Sequence, residues 1–241
     1  MQPEEQAFTV AGRTYVNIIA AAGPKDAGRV IVGAHYDVCG DQPGADDNAS
    51  AVAGLLEIAR FLKKHESELK YRVDIVTYAL EEPPFFGTSN MGSYVHAEYL
   101  HRNNINVKGM ICLEMIGFFT EEKDSQAYPL GLLKILYPST GNFIGIVGNW
   151  ASWGFTNQVA KHMKKARIAV ETLKSPSFVA GVDFSDHRNY WKFGYDAVMI
   201  TDTAFYRNKN YHERSDTMDT LSFIKMQEVV KGVCWALLNI D

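Results

Sequence analysis

Short apolar runs alternate with helix-period segments along the 241 residues of the chain. Arg29–His35 is a β-rich run that ends in polar residues, the pattern of a buried parallel strand. Val73–Leu80, Met110–Leu113, Phe143–Val147 and Ala197–Ile200 read the same way, and Tyr15–Ala20 reads as a strand leading into a turn at Gly23-Pro24. Between them, Ala49–Lys64 is apolar nearly all round its first three turns, which predicts a largely buried helix with Asp47 and Asn48 as N-cap candidates. Ser89–His101 is a weaker helix, and Phe155–Arg167 and Ser222–Leu238 carry clear helical periodicity. Thr120–Thr140 has no regular pattern and reads as an excursion from the core. Strands separated by helices predict an α/β fold of three layers, a mostly parallel, mixed sheet with helices on both faces. Neither a repeat nor a linker divides the chain, so a single domain over residues 1–241 is expected.

Composition narrows the function classes. Apolar residues make up 46% and charged residues 22%, which excludes disordered and fibrous chains. A net charge of −4 is too mild for nucleic acid or an anionic membrane surface as partner. No apolar stretch approaches the roughly 18 residues of a membrane span, and Met1–Val10 lacks the features of a secretory signal. Cys39, Cys112 and Cys234 match no zinc or redox motif and read as buried apolar thiols.

In α/β sheets, ligands bind beyond the carboxyl ends of the strands. Those ends deliver His35-Tyr36-Asp37 with the loop Gly44-Ala45-Asp46-Asp47-Asn48, then Glu81-Glu82, then Glu114-Met115, and finally Asp202 with Tyr211-His212. The Glu81-Glu82 pair follows a buried run and precedes Pro83-Pro84, so no helix continues there. Several carboxylates on one edge repel each other unless a cation neutralises them. Histidine and carboxylate without cysteine suit zinc or another divalent first-row metal, and calcium less well.

Val32-Gly-Ala-His-Tyr-Asp37, Pro43-Gly-Ala-Asp-Asp-Asn-Ala-Ser50, Leu80-Glu-Glu82, Leu113-Glu-Met-Ile-Gly117 and Tyr211-His212 together resemble the co-catalytic zinc exopeptidases. That family holds bacterial leucyl aminopeptidases and aminopeptidase Y, and also the glutaminyl cyclases. The matches run in family order from about residue 30 to the C-terminus. The resemblance implies the zinc-exopeptidase (phosphorylase/hydrolase-like) fold and two Zn²⁺ ions, which would cancel the −4 charge, bridged by Asp46 and a water or hydroxide. It further implies that His35 and Glu114 hold one metal, that Glu82 and His212 hold the other, and that Glu81 is the general acid/base. By the same resemblance Asp37 fixes the tautomer of His35, the peptide bond between Asp46 and Asp47 is cis, and Met115 belongs to the pocket for the substrate's N-terminal side chain. The fourth strand of relatives usually ends in aspartate, so ligation through the longer arm of Glu114 is a departure. Relatives also begin with a helix and strand ahead of Tyr15–Ala20, so a trimmed N-terminus is expected; the family is often exported, and localisation stays open between that and the absence of a signal in this chain.

Ser185-Asp186-His187 suggests a serine triad only superficially, because three consecutive residues cannot take up that geometry. In relatives such a segment lies near the site, which implies supporting roles for Asp186 and His187. Asp216 either orients the His212 loop or caps a helix. His65, His96, His101 and His162 read as surface or packing residues. The pairs Phe85-Phe86, Phe118-Phe119 and Phe205-Tyr206 divide between pocket wall and core. The leading expectation is a zinc aminopeptidase acting on peptides or aminoacyl substrates. The alternatives are a one-zinc glutaminyl cyclase and a non-catalytic, receptor-like relative.

Overall fold

The computed structural model describes residues 1–240, so Asp241, the last residue of the expected domain, lies outside it. The strands are β1 (Glu4–Val10), β2 (Arg13–Ala22), β3 (Arg29–His35), β4 (Arg72–Tyr78), β5 (Val107–Glu114), β6 (Phe143–Gly148), β7 (Ala169–Lys174) and β8 (Ala197–Thr201). The helices are α1 (Ala51–Lys64), α2 (Gly92–Arg102), α3 (Leu133–Leu136), α4 (Trp153–Met163), α5 (His187–Lys192) and α6 (Phe223–Asn239). They form a mixed α/β fold around one sheet with strand order β1-β2-β4-β3-β5-β8-β6-β7.

β4, β3, β5 and β8 run parallel, so their carboxyl ends meet on one edge. β2 joins β4 antiparallel, while β6 is antiparallel to β8 and carries β7 parallel beside it. Alternate residues of the central strands feed two cores. Val30, Val32, Leu113, Ile146 and Ile200 pack with α1, α4 and α6 on one face. Ile31, Tyr78, Cys112 and Met199 pack with α2 and α5 on the other. This is the period-two reading of strands covered on both faces.

Three expectations change. β1 precedes the first predicted strand, joined to β2 by a two-residue turn at Ala11-Gly12 in which both φ angles are positive. α1 buries one stripe (Ala51, Gly54, Leu55, Ile58, Leu62) and leaves Leu56 58% exposed, so it is half-exposed and not buried all round. It starts at Ala51 without a side-chain cap, because Asp47 and Asn48 are committed to the site.

Candidate metal centre

The loop after β3 turns sharply at Gly44, whose φ of 61° suits glycine. A Cβ there would sit 2.4 Å from Val38 Cγ1 and 2.6 Å from the Asp47 carbonyl oxygen. Within the turn Ala45–Ser50, Asp47 and Asn48 leave helical φ/ψ, and the peptide bond joining them is cis. The expected cis bond between Asp46 and Asp47 therefore lies one residue further on. The turn is held from distant parts of the chain. Asp216, expected to orient the His212 loop or cap a helix, instead accepts the backbone N–H groups of Asp46 (2.9 Å) and Asp47 (3.1 Å) and so holds this turn. Asn48 accepts the Met115 N–H (2.9 Å) and donates to the Leu113 carbonyl (3.1 Å).

This geometry exchanges the roles of the two aspartates. Asp47 Oδ1 lies 3.3 Å from His35 Nε2 and Asp47 Oδ2 lies 3.1 Å from His212 Nε2. Asp46, expected to bridge, has its carboxylate turned away: Oδ1 accepts the Gly117 N–H (2.9 Å) and Oδ2 accepts Asn208 Nδ2 (2.8 Å). Burial and the adjacent Asp46 hold the Asp202 carboxyl well above its ordinary range. Consecutive side chains diverge, and the turn decides which one faces the histidines.

The remaining candidates gather around Asp47. Glu114 Oε2 is 3.3 Å from His35 Nε2, and Glu82 Oε2 is 3.2 Å from His212 Nε2. Glu81 Oε2 stands 3.9 Å from His35 Nε2. The Asp37 carboxylate accepts the N–H groups of Glu81 and Glu82, both at 3.1 Å, so it fixes the Glu-Glu segment. His35 Nδ1 is 3.1 Å from the Asp37 carbonyl oxygen and 3.5 Å from its carboxylate. A carbonyl can only accept, so Nδ1 carries a hydrogen and Nε2 is the ring nitrogen that faces the cluster.

Two expected residues sit elsewhere. Met115 is fully buried and does not line the cavity beside Glu114. Its backbone, at a φ of 50°, is fixed by the bond to Asn48 and by the Asp202 N–H on its carbonyl (2.7 Å). His187 Nε2 donates to the Val182 carbonyl (2.8 Å) and its ring meets Trp191 edge-on, a packing role that replaces the expected support of the site. Asp186 is buried close enough to raise the Glu81 pKa. Ser185 donates to Glu114 Oε2 at 2.6 Å, which excludes the triad. Sequence reading missed Ser185, Asn48 and Asn208 as supports. It named Tyr211 beside His212 without a role; the Tyr211 ring stacks on His212 at 3.8 Å between centroids. Cys39 is partly exposed, within 4.8 Å of ligand atoms of Glu82 and His212, and not a buried thiol.

Residues 17–236 match the profile of peptidase family M28. The chain belongs to that family. Over 243 residues it is 48% identical to the protein YfbL of Escherichia coli (strain K12), covering 97% of this chain and 74% of that one. Leucine aminopeptidase 1 of Ajellomyces capsulatus (strain NAm1 / WU24) is 27% identical over 230 residues, covering 89% of this chain. The chain spans about half (53%) of that enzyme's length. In fold it resembles LapB of Legionella pneumophila, with a TM-score of 0.75 at 22% identity over 99% of this chain and 60% of that one. It also resembles a glutaminyl cyclase of Bacteroides thetaiotaomicron, with a TM-score of 0.72 at 18% identity over 100% and 84%. M28 membership fits the expected mixed α/β sheet.

The electrostatics of this M28 site call for cations. Burial pushes the Glu81, Glu82 and Glu114 carboxyls upward, Glu81 farthest, with neighbouring carboxylates adding to the effect. Against burial, the neighbouring carboxylates in turn raise both histidines above the ordinary imidazole range. Burial disfavours the charged ring of His212, but Asp47 and Glu82 outweigh it and raise the pKa to about 10. Burial acts on Asp47 too, yet the two histidines bring it down to about 2. Glu82 Oε1 is buried without a hydrogen-bond partner. His35, Asp47 and Glu114 each present a ligand atom within 4.8 Å of the others. Imidazole and carboxylate donors in that arrangement fit divalent first-row ions.

Proposed function

We propose that this M28 peptidase is a zinc-dependent aminopeptidase, with Asp47 shared between two metals, His35 and Glu114 completing one protein shell and Glu82 and His212 the other. The observation that carries this reading is the placement of the two Asp47 oxygens, one beside each histidine, at 3.3 and 3.1 Å. That placement favours two ions over the single zinc of the cyclase reading.

Zinc bound there would lower the pKa of a water molecule and polarise the scissile carbonyl. The chain's own residues do the rest. Glu81 takes a proton from the attacking water and returns it to the leaving amine. Its buried carboxyl stands beside the cluster, 3.9 Å from His35 Nε2. Asp37 sets the position of Glu81 through the backbone bonds, and Ser185 sets that of Glu114. The cavity opening beside Glu114, walled by Phe184, Phe205, Tyr206 and Tyr211, takes the side chain of the substrate's first residue and excludes water around it.

The deciding experiment measures zinc per chain and hydrolysis of an aminoacyl panel, before and after chelation and zinc re-addition. Two zinc ions per chain and activity restored by zinc are expected. One zinc with ammonia release from N-terminal glutamine peptides would replace this reading with the cyclase. Bound zinc without turnover of any substrate would support a non-catalytic relative.

A further inference from the structure

The strands that carry the cluster also build a cavity whose far end holds a carboxylate the cluster does not use. The register pairs Glu114 of β5 with Thr201 of β8, Thr201 with Gly145 of β6, and Gly145 with Glu171 of β7. Directly paired residues share a face of the sheet, and all four of these line one cavity. Neighbouring strands lie roughly 4.8 Å apart, so three steps set the Glu114 and Glu171 backbones about 14 Å apart. Midway, Gly145 adds no side chain and leaves the floor open. A Cβ there would stand 3.3 Å from the Thr201 carbonyl oxygen, a tight approach to backbone.

The walls of this row are aromatic, and their hydroxyls are already engaged. Tyr128 donates to the Pro138 carbonyl (2.6 Å), Tyr137 to that of Thr172 (2.8 Å) and Tyr206 to that of Ala180 (3.2 Å). Gln126 is occupied by Arg207, Thr203 and the Ala127 carbonyl. Glu171 differs: within the described residues its side-chain carboxylate takes part in no hydrogen bond or ion pair. Its charge reaches both Tyr128 and Tyr137, whose phenols are raised by burial first and by Glu171 in addition. Arg207 acts on Tyr128 as well, and its Nε and Nη1 donate to Gln126 and to the Phe118 and Phe143 carbonyls.

We propose that Glu171 is a specificity-determining residue, selecting substrates whose first residue is basic by pairing with a lysine ammonium or an arginine guanidinium. This rests on the aminopeptidase reading and names its substrate class. A lysine side chain reaches about 6 Å from Cα to Nζ along ordinary single bonds. An ionic hydrogen bond of about 2.8 Å at one end and the reacting amide at the cluster take up what remains of the span. The methylene stem lies along the tyrosine walls while the charged head meets the carboxylate. A leucyl side chain would end short of Glu171 and leave its carboxylate desolvated without a partner.

The test compares kcat/KM for lysyl, arginyl and leucyl p-nitroanilides in the zinc-loaded wild type, Glu171→Gln and Glu171→Asp. The wild type should favour the basic substrates at least tenfold. Glu171→Gln should cut the basic-to-leucyl ratio by 10- to 100-fold, and Glu171→Asp should retain part of it. A leucyl preference in the wild type, or a ratio that Glu171→Gln does not move, overturns the proposal. Calorimetric binding of argininol and leucinol separates the two readings. No hydrolysis of any substrate counts against the aminopeptidase. Argininol preference lost in Glu171→Gln would then still uphold the pocket assignment, and equal binding of the two alcohols would reject it.

Discussion

Ser185 donates a 2.6 Å hydrogen bond to the Glu114 carboxylate oxygen that stands 3.3 Å from His35. A supporting donor of this kind fixes the orientation of a ligand arm, and here the arm is a glutamate. Ser185→Ala should lower zinc affinity or activity by about 10- to 100-fold, the usual cost of losing such a partner. Titration with a competing chelator checks this, and unchanged zinc affinity and activity would remove Ser185 from the site's machinery.

The exchanged aspartates make opposite forecasts. Asp47→Asn should reduce bound zinc below two ions per chain and abolish turnover. Asp46→Asn should keep both ions, while its amide nitrogen meets the Asn208 Nδ2 donor and costs about 1 to 3 kcal/mol in stability. Metal analysis of the two variants decides, and zinc lost from Asp46→Asn but kept by Asp47→Asn would reverse the assignment.

Glu81→Gln removes proton transfer but leaves a similar shape between Asp37 and His35. Turnover should fall by about 10²- to 10⁴-fold while zinc content holds. Substantial residual kcat in that variant would sink the acid/base role.

His96 is buried with Nδ1 2.6 Å from the Tyr190 hydroxyl, and burial brings its pKa down to about 4 from an ordinary 6.5. The unfolded chain therefore binds this proton first as the pH falls. The stability this neutral ring contributes is complete above pH 6.5 and drains away toward pH 4, by about 3 kcal/mol. Raised site carboxyls pull the opposite way, so the informative quantity is a difference. Urea midpoints between pH 7 and 4.5 should fall less steeply for His96→Gln than for the wild type. Parallel curves would show that this histidine does not titrate on unfolding.

The strand ends were legible because a parallel sheet must gather its carboxyl termini on one edge, and His35, Glu81, Glu82, Glu114 and His212 converge there. Choosing between Asp46 and Asp47 was not, since two adjacent carboxylates differ only through a turn fixed by Asp216 and Asn48 from far along the chain. β1 and β7 escaped the apolar-run criterion because edge strands are half solvated: Val10 is the one fully buried residue of β1, and β7 has none. The support from Ser185 was hidden as well, because its partner lies 71 positions away in the chain.

The bonds from Asp216 to Asp46 and Asp47 cross 170 and 169 positions in the sequence. During synthesis, the turn that aims Asp47 leaves the ribosome long before the carboxylate that holds it. His212 arrives with that same late segment. The first candidate ligands must therefore wait for the segment around residues 212–216 before the cluster can assemble.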